Sequence, residues 1–271
     1  MSAFLRFPQR VSVPVVVALC ACVIEARAFD LISGNSSVTI NPATQMGMNS
    51  WNVDGQDQLF QQWFWYTAGS MTSERSIDTI GAPVITVNSA SQATSTYTGS
   101  GFTLSVIYDL VGGAAGSGQS AINETITINN TTGSALSFRF FQYSDYNLGG
   151  VDQDVVQIQP GFGYALVTSG ALSLGEAVLS PSANNGEVAP FDLTLQKLNN
   201  ASIDNLNGTL GPSVPGDNTF AFQWDFTIAP NGSQIISKVK SLQVQVVPEP
   251  TSAVLGLFGI GLLVGRRFFK K

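Results

Sequence analysis

Apolar and polar residues alternate along much of the chain between residues 29 and 246, which is the pattern of half-buried β-strands. From 102 to 108 the even positions are Phe, Leu, Val and Tyr, and from 220 to 228 they are Phe, Phe, Trp, Phe and Ile. The odd positions between them are mostly polar. Patterns of this kind predict further strands over residues 84–88, 122–129, 136–143, 164–168, 191–196 and 235–246.

Clusters of Gly, Asn, Ser and Pro separate these segments, for example at 112–118, 129–133, 181–186 and 211–216. Residues 122–143 fit a hairpin whose loop is 129–134. Many short strands with a turn about every ten residues predict an all-β fold, a single antiparallel, jelly-roll-like β-sandwich. No linker divides the region, so we expect one secreted domain over residues 29–246.

The first 28 residues have the pattern of a secretory signal peptide. Basic residues precede an apolar run over 11–24, and Ala26 and Ala28 provide the small-x-small pattern before a cleavage site. The alternative is a lipoprotein signal in which Cys22 is lipidated. Either interpretation predicts export.

The last 25 residues, 247–271, predict a sorting or anchor segment. Residues 251–265 carry no charge and would form a helix of roughly 22 Å, shorter than the roughly 30 Å hydrocarbon core of a membrane. Arg266 and Arg267 follow, and such a basic cluster stays on the cytoplasmic side. Pro248 and Pro250 keep the preceding chain extended and exposed, where a processing enzyme can bind it.

The order Pro248-Glu249-Pro250, short apolar helix, Arg266-Arg267 resembles the PEP-CTERM sorting signal of bacterial envelope proteins. That resemblance implies recognition of these five residues by an exosortase, a membrane protease-transpeptidase that removes the helix. The alternative is an ordinary tail anchor. Residues 51–83 and 122–154 also resemble β domains of uncharacterised PEP-CTERM proteins, which implies no activity.

Composition limits the chemistry that the domain can perform. There is no histidine, and both cysteines lie in the predicted signal peptide, which excludes Ser-His-Asp triads, thiol catalysis and thiolate metal sites in the mature chain. Residues 29–247 contain five basic and sixteen acidic residues, a net charge of −11. Nucleic acid is therefore not expected as a partner.

Carboxylate chemistry is compatible with this composition. Glycoside cleavage needs two facing carboxyl groups, and six residues are candidates: Glu124, Asp145, Asp152, Asp154, Glu176 and Glu187. The segment 145–154 is the densest in oxygen ligands, and Asp145, Asn147, Asp152 and Asp154 suit a calcium ion. A solvated turn is the alternative for that segment.

Aromatic residues are concentrated between positions 51 and 66. Trp51, Trp63 and Trp65 are candidates for stacking on a glycan, because aromatic rings pack on the apolar faces of sugars. A strand that is apolar on both faces is, however, usually buried, and core packing is favoured.

Taken together, the sequence predicts an exported, non-enzymatic protein of the bacterial envelope or extracellular matrix. It would be held in the membrane by its C-terminal helix, processed by an exosortase-like protease, and structural or adhesive among exopolysaccharide. The alternatives are a carbohydrate-binding module and a carboxylate-dependent glycosidase.

Overall fold

The computed structural model describes residues 28–244, in which β-strands are the dominant regular structure. The strands are β1 Phe29–Ser33, β2 Ser36–Asn41, β3 Gly47–Val53, β4 Gln56–Asp57, β5 Leu59–Ala68, β6 Arg75–Ser76, β7 Val84–Val87, β8 Gln92–Gly99, β9 Phe102–Gly112, β10 Ser120–Asn130, β11 Leu136–Tyr146, β12 Val155–Ile158, β13 Tyr164–Ser169, β14 Leu172–Ser180, β15 Asn185–Pro190, β16 Asn218–Ile228 and β17 Ser233–Val244. A 3-10 turn at Ile77–Thr79 and a short helix, α1, at Leu193–Leu198 complete the described elements.

The strands form two sheets. Sheet A has nine strands, with the order β1-β2-β3-β5-β11-β16-β15 and with β4 and β6 paired to β3 and β5. Sheet B has eight strands, in the order β12-β13-β14-β17-β10-β9-β8-β7. All pairings are antiparallel except a short parallel contact between β3 and β5. The predicted antiparallel β-sandwich is therefore confirmed.

The inner faces of the two sheets form the core. On β9 the even positions from Phe102 to Leu110 are buried, and the odd positions from 103 to 109 are partly exposed, as the alternation predicted. Aromatic side chains of sheet A pack in rows along this core. The Phe140 ring stacks on Phe64 at 5.3 Å between centroids and meets Trp224 at 6.1 Å. These contacts bury the large apolar area on which a cysteine-free domain depends.

The predicted hairpin over 122–143 is wrong. Its two strands lie in different sheets: β10 pairs with β9 and β17, whereas β11 pairs with β5 and β16. The connection crosses from one sheet to the other, and the Asn130 side chain holds the crossing by donating to the carbonyls of Ser134, Ile228 and Ala229. Alternation defines a strand's faces but does not identify its neighbour.

The strand predicted at 191–196 is also wrong. Asp192 has φ of +70°, which ends the extended chain, and helix α1 follows. The buried residues of α1 are Thr194 and Leu198, four positions apart, which is a helical spacing. The Glu187 carboxylate on β15 accepts from the Thr194 hydroxyl at 2.6 Å and from Lys197 Nζ at 2.5 Å, and so holds α1 against sheet A.

Several of the predicted site residues lie outside the described part of the chain. These are Ala26 at the predicted signal-peptide cleavage site, and Pro248, Glu249, Pro250, Arg266 and Arg267 of the sorting signal. Ala28 is the first described residue and is exposed. Within residues 28–244, no helix has the length and apolar character needed to cross a membrane.

Candidate functional site

The three tryptophans proposed for glycan stacking are fully buried. Trp51, Trp63 and Trp65 each have 0% exposed surface. The Trp51 indole donates to Ser120 of sheet B at 3.1 Å, so it lies between the sheets. Trp63 and Trp65 are on the opposite face of sheet A, where Ser76 and Asn199 accept their indole N–H groups at 2.9 and 3.0 Å. None of the three presents a ring face to solvent.

The six carboxylates considered for glycoside cleavage fall in three separate places. Glu124 and Glu176 are buried between the sheets, in ion pairs with lysines. Glu187 is paired with Lys197 and holds helix α1. The other three, Asp145, Asp152 and Asp154, lie together at the end of β11 and in the turn that follows it.

The segment predicted as a calcium site lines a small cavity at one edge of sheet A. Asp145, Asn147 and Asp152 contribute to its wall, and Asp154 is buried beside them. Among residues 28–244, no three His, Cys, Asp or Glu side chains are close enough together to hold a metal ion. The glycines of this turn, Gly149 and Gly150, have φ of +72° and +75°, a conformation that L-residues rarely adopt.

A second turn completes the wall. The backbones of Asp154 and Gly216 pair through two hydrogen bonds of 2.9 and 3.3 Å, which brings the 214–217 turn against the 147–154 turn. The Asn218 side chain donates to the carbonyls of Asp154, Val214 and Gly216 and so locks this arrangement. Asp217 is thereby placed on the cavity wall. The cavity enclosed by these turns has a volume of about 170 Å³, and we call it the acidic cavity. Its lining residues are Phe60, Asp145, Asn147, Asp152, Phe191 and Asp217.

Two exposed phenylalanines form the rim of the acidic cavity. Phe60 is the extra residue of a β-bulge, since Asp145 pairs with Gln61 and Tyr146 pairs with Leu59. The bulge leaves Phe60 52% exposed, and the ring meets Phe191 edge-to-face at 6.0 Å. Exposed apolar surface rimmed by polar residues is one of the features that mark ligand-binding grooves.

The Asp145 carboxyl group is the most perturbed polar group of the cavity. Its residue is only 1% exposed, and Oδ1 has no hydrogen-bond partner among the described residues. Oδ2 accepts from the Tyr143 hydroxyl at 3.4 Å. Burial, with a smaller contribution from the neighbouring Asp217, raises the pKa of Asp145 to about 7.

The pKa values of two neighbouring carboxyl groups, Asp154 and Asp217, are also raised. Burial raises the pKa of Asp154 to about 7, and burial together with Asp152 raises the pKa of Asp217. Among residues 28–244, no lysine or arginine lies on the wall of the acidic cavity. The site is therefore rich in hydrogen-bond acceptors, and two of its acids, Asp145 and Asp154, exchange a proton near neutral pH.

A larger cleft adjoins the acidic cavity and shares Phe60 and Asn147 with it. Its volume is about 370 Å³, within the range of roughly 300–1,000 Å³ that is typical of small-molecule sites. The remaining lining residues come from the turn before β3, from β3, β4 and β5, and from the 147–150 turn: Met46, Asn49, Asp57, Leu59, Gln61 and Gly150. The lining therefore combines apolar side chains, amide side chains and one carboxylate.

Sequence reasoning identified part of this site. Asp145, Asn147 and Asp152 were recognisable as one oxygen-rich segment. Asp217 and Phe191 were missed, because they reach the cavity through tertiary pairing. Phe60 had a local signal, since it begins an aromatic segment, but the bulge that exposes it depends on its pairing with β11.

Comparison with protein families identifies the C-terminal segment. Residues 246–271 match the family described as the PEP-CTERM protein-sorting motif. The chain therefore carries the signal of an exported protein that is anchored at its C-terminus before an exosortase processes it. No curated protein matches the sequence.

The β-sandwich resembles solved structures at very low sequence identity. A candidate aldose 1-epimerase from Escherichia coli K12 has a TM-score of 0.54 and 9% identity, over 80% of this chain and 99% of that one. A galactose 1-epimerase from Lactobacillus acidophilus NCFM has a TM-score of 0.50 and 8% identity, over 80% and 94%. A bacterial glucoamylase complexed with acarbose has a TM-score of 0.57 and 6% identity, over 87% of this chain and 34% of the enzyme. These likenesses show a shared β-sandwich fold.

Proposed function

We propose that the exported domain binds oligosaccharide in the acidic cavity and the adjoining cleft, without cleaving it. The ligand class is a neutral glycan of the exopolysaccharide in which the processed protein resides. Its adhesive or structural role in the envelope or matrix would follow from that binding.

The observation that carries the proposal is that a buried, unpartnered carboxylate oxygen and two exposed aromatic rings occur together at the acidic cavity. Asp145 Oδ1 is buried without a partner, and two solvent-exposed rings lie at the rim above it. A buried carboxylate oxygen without a partner costs free energy unless a ligand supplies a donor. Sugar hydroxyls are such donors, and the C–H faces of a sugar ring pack on aromatic rings.

The charge of the site defines the kind of glycan. Asp145, Asp152 and Asp217 line the cavity, and no basic side chain offsets them there. A uronic acid or a sulfated sugar would be repelled by these carboxylates, whereas neutral hydroxyls can donate to them. We therefore expect neutral glycans to be preferred over anionic ones.

The comparisons support this proposal without establishing it. The two epimerases and the glucoamylase are named for sugars, and all share the fold. The sorting motif marks the chain as an exported protein. A sugar-binding surface on a protein retained near the cell exterior would meet exopolysaccharide as its most abundant ligand.

The test is a glycan array followed by calorimetric titration of the processed protein. Phe60→Ala removes a rim ring and should weaken binding at least about tenfold, the loss expected for a ring-stacking contact of about 1.4 kcal/mol. The matched control is Leu179→Ala, which removes a 64% exposed side chain from β14 in sheet B and should leave the affinity unchanged. Equal affinity of wild type and Phe60→Ala, with the control also unchanged, would contradict the proposed site.

One observation favours a second candidate function. An Asp145 whose pKa is about 7 has the property required of a general acid, and Asp152 and Asp217 provide carboxylates beside it. A glycosidase would release reducing sugar from a bound polysaccharide, and release would stop in Asp145→Asn. Binding without such release supports the non-enzymatic proposal.

A further inference from the structure

Four charged side chains lie inside the sandwich, and none of them lines the acidic cavity. Glu124 on β10, Glu176 on β14, and Lys238 and Lys240 on β17 all face sheet A, and their side chains are 0% exposed. Glu124 Oε2 is 2.6 Å from Lys238 Nζ, and Glu124 Oε1 is 2.5 Å from Lys240 Nζ. Fully buried ions of this kind rarely add stability compared with apolar residues of similar size, so their presence needs another reason.

A carboxamide from the opposite sheet meets this cluster. Gln142 projects inward from β11, and its Oε1 accepts from Lys238 Nζ in very close contact. Its Nε2 donates to Glu176 Oε1 at 2.6 Å and to Ser144 Oγ at 2.8 Å. Glu176 Oε1 is also 3.3 Å from Lys238 Nζ. The Glu176 carboxylate therefore contacts both the Lys238 amine and the side-chain nitrogen of Gln142.

The surroundings exclude water from these groups. The Lys238 ammonium lies 5.1 Å from the centroid of the Phe64 ring, and the Tyr146 hydroxyl, 3.4 Å from Glu176 Oε2, adds a second aromatic wall. All of these residues are buried. A nucleophile, a carbonyl carbon and a proton carrier are thus held together in a dry site, which is the arrangement that lowers the barrier of an intramolecular acyl transfer.

We propose that Lys238 and Gln142 form a covalent amide cross-link between the two sheets, with Glu176 as the proton carrier. The products are an isopeptide bond and one molecule of ammonia. Such a bond would tie β17 of sheet B to β11 of sheet A in an exported domain that has no cysteine for a disulfide.

The step balances without any co-reactant. Lys238 first gives one proton to the Glu176 carboxylate, and the neutral Nζ then attacks Cδ of Gln142. The Nζ–Cδ bond forms and the Cδ–Nε2 bond breaks. Glu176 returns its proton to the departing nitrogen, and a second proton moves from Nζ to the same nitrogen, so an ammonium ion leaves. No atom is oxidised or reduced, and Glu176 ends as it began.

The test is the mass of the purified, denatured full chain. Wild type and Lys238→Met are produced in the same way, so that their processed termini are the same. After correction for the substitution, the wild-type chain should be lighter by the mass of one ammonia, and its digest should contain a branched peptide joining residues 142 and 238. A wild-type mass with no loss overturns the proposal. Loss of water instead, with Lys238 joined to Glu124 or Glu176, overturns the assignment of Gln142.

Two further variants test the roles of the partners, with circular dichroism as the check on folding. Gln142→Met should show no mass loss and no branched peptide. Glu176→Gln removes the proton carrier and should leave the chain unlinked although folded. Cross-linking of Glu176→Gln to the wild-type extent overturns the role given to Glu176. If a variant fails to fold, the wild-type mass and digest still decide the question.

Discussion

Replacing Asp145 by Asn tests whether the acidic cavity is kept for a ligand at the expense of stability. In the folded protein, burial raises the pKa of Asp145 from its ordinary 3.8 to about 7. Between these two pH values the folded state holds a proton that the unfolded chain has already released. The free energy of unfolding therefore falls as the pH rises from about 4 to about 7, and it levels off above that.

The size of this effect follows from the same pKa values. The interval between 3.8 and about 7 corresponds to a decrease of about 4 kcal/mol in the free energy of unfolding above pH 7. Asn cannot ionise, and its Oδ1 can still accept from the Tyr143 hydroxyl that Asp145 binds. Asp145→Asn should therefore be more stable than wild type at pH 8, by up to about 4 kcal/mol, and about equal to it at pH 4.

The assay is urea denaturation of wild type and Asp145→Asn at several pH values from 4 to 9. Glu124 and Glu187 have pKa values that are lowered by their lysine partners, so their contribution to stability is lost as the pH falls. Both proteins contain these residues, and their effect cancels in the difference between wild type and Asp145→Asn. Asp109→Asn, which makes the same substitution at a partly exposed position of β9, is the matched control. An Asp145→Asn variant destabilised equally at every pH would refute the reasoning.

Three further perturbations probe the core, a buried charge and the sorting signal. Phe140→Ala should lower the free energy of unfolding by about 3–5 kcal/mol in urea denaturation, because it opens a cavity in the aromatic core, and a loss below about 1 kcal/mol would contradict that packing. Arg139→Met leaves the fully buried Glu74 carboxylate, 3.6 Å away, without its cation and should lower the free energy of unfolding by about 3 kcal/mol, whereas the exposed Arg75→Met control should cost little in the same assay. Glu249→Ala should leave unprocessed precursor in the membrane fraction on immunoblots, and normal maturation of that variant would count against exosortase recognition.

Strand positions were predictable from the sequence where one face is buried. The period of two on β9 gives the fold class and the inward residues directly. Nine strands were missed: β1, β2, β3, β4, β6, β8, β12, β14 and β15. On β15 the four residues 186–189 are all buried, and no alternation can be read from such a segment.

Strand pairing was not predictable in the same way. Residues 129–134 look like a hairpin loop, but β10 pairs with β17 and β11 pairs with β16, and these partners lie 74 to 122 residues away along the chain. The inward lysines of β17 show the same limit. Positions 236, 238, 240 and 242 face the core, and a charge at two of them is acceptable only because Glu124 and Glu176 arrive from other strands.

The candidate site combines local and distant residues. The Asp145–Asp154 segment is visible as a sequence pattern because its acidic and amide residues are close together along the chain. Asp217 joins them only through the backbone pairing of Asp154 with Gly216. That pairing involves ordinary turn residues, and nothing in their spacing distinguishes them from other loops.

The most direct test of the proposed function is a crystal structure of the processed protein with the neutral glycan that binds best on an array. We predict a sugar ring packed against Phe60 and Phe191, with one hydroxyl within hydrogen-bond distance of Asp145 Oδ1. A glycan bound on another face of the sandwich, or an empty acidic cavity at saturating ligand, would contradict the account.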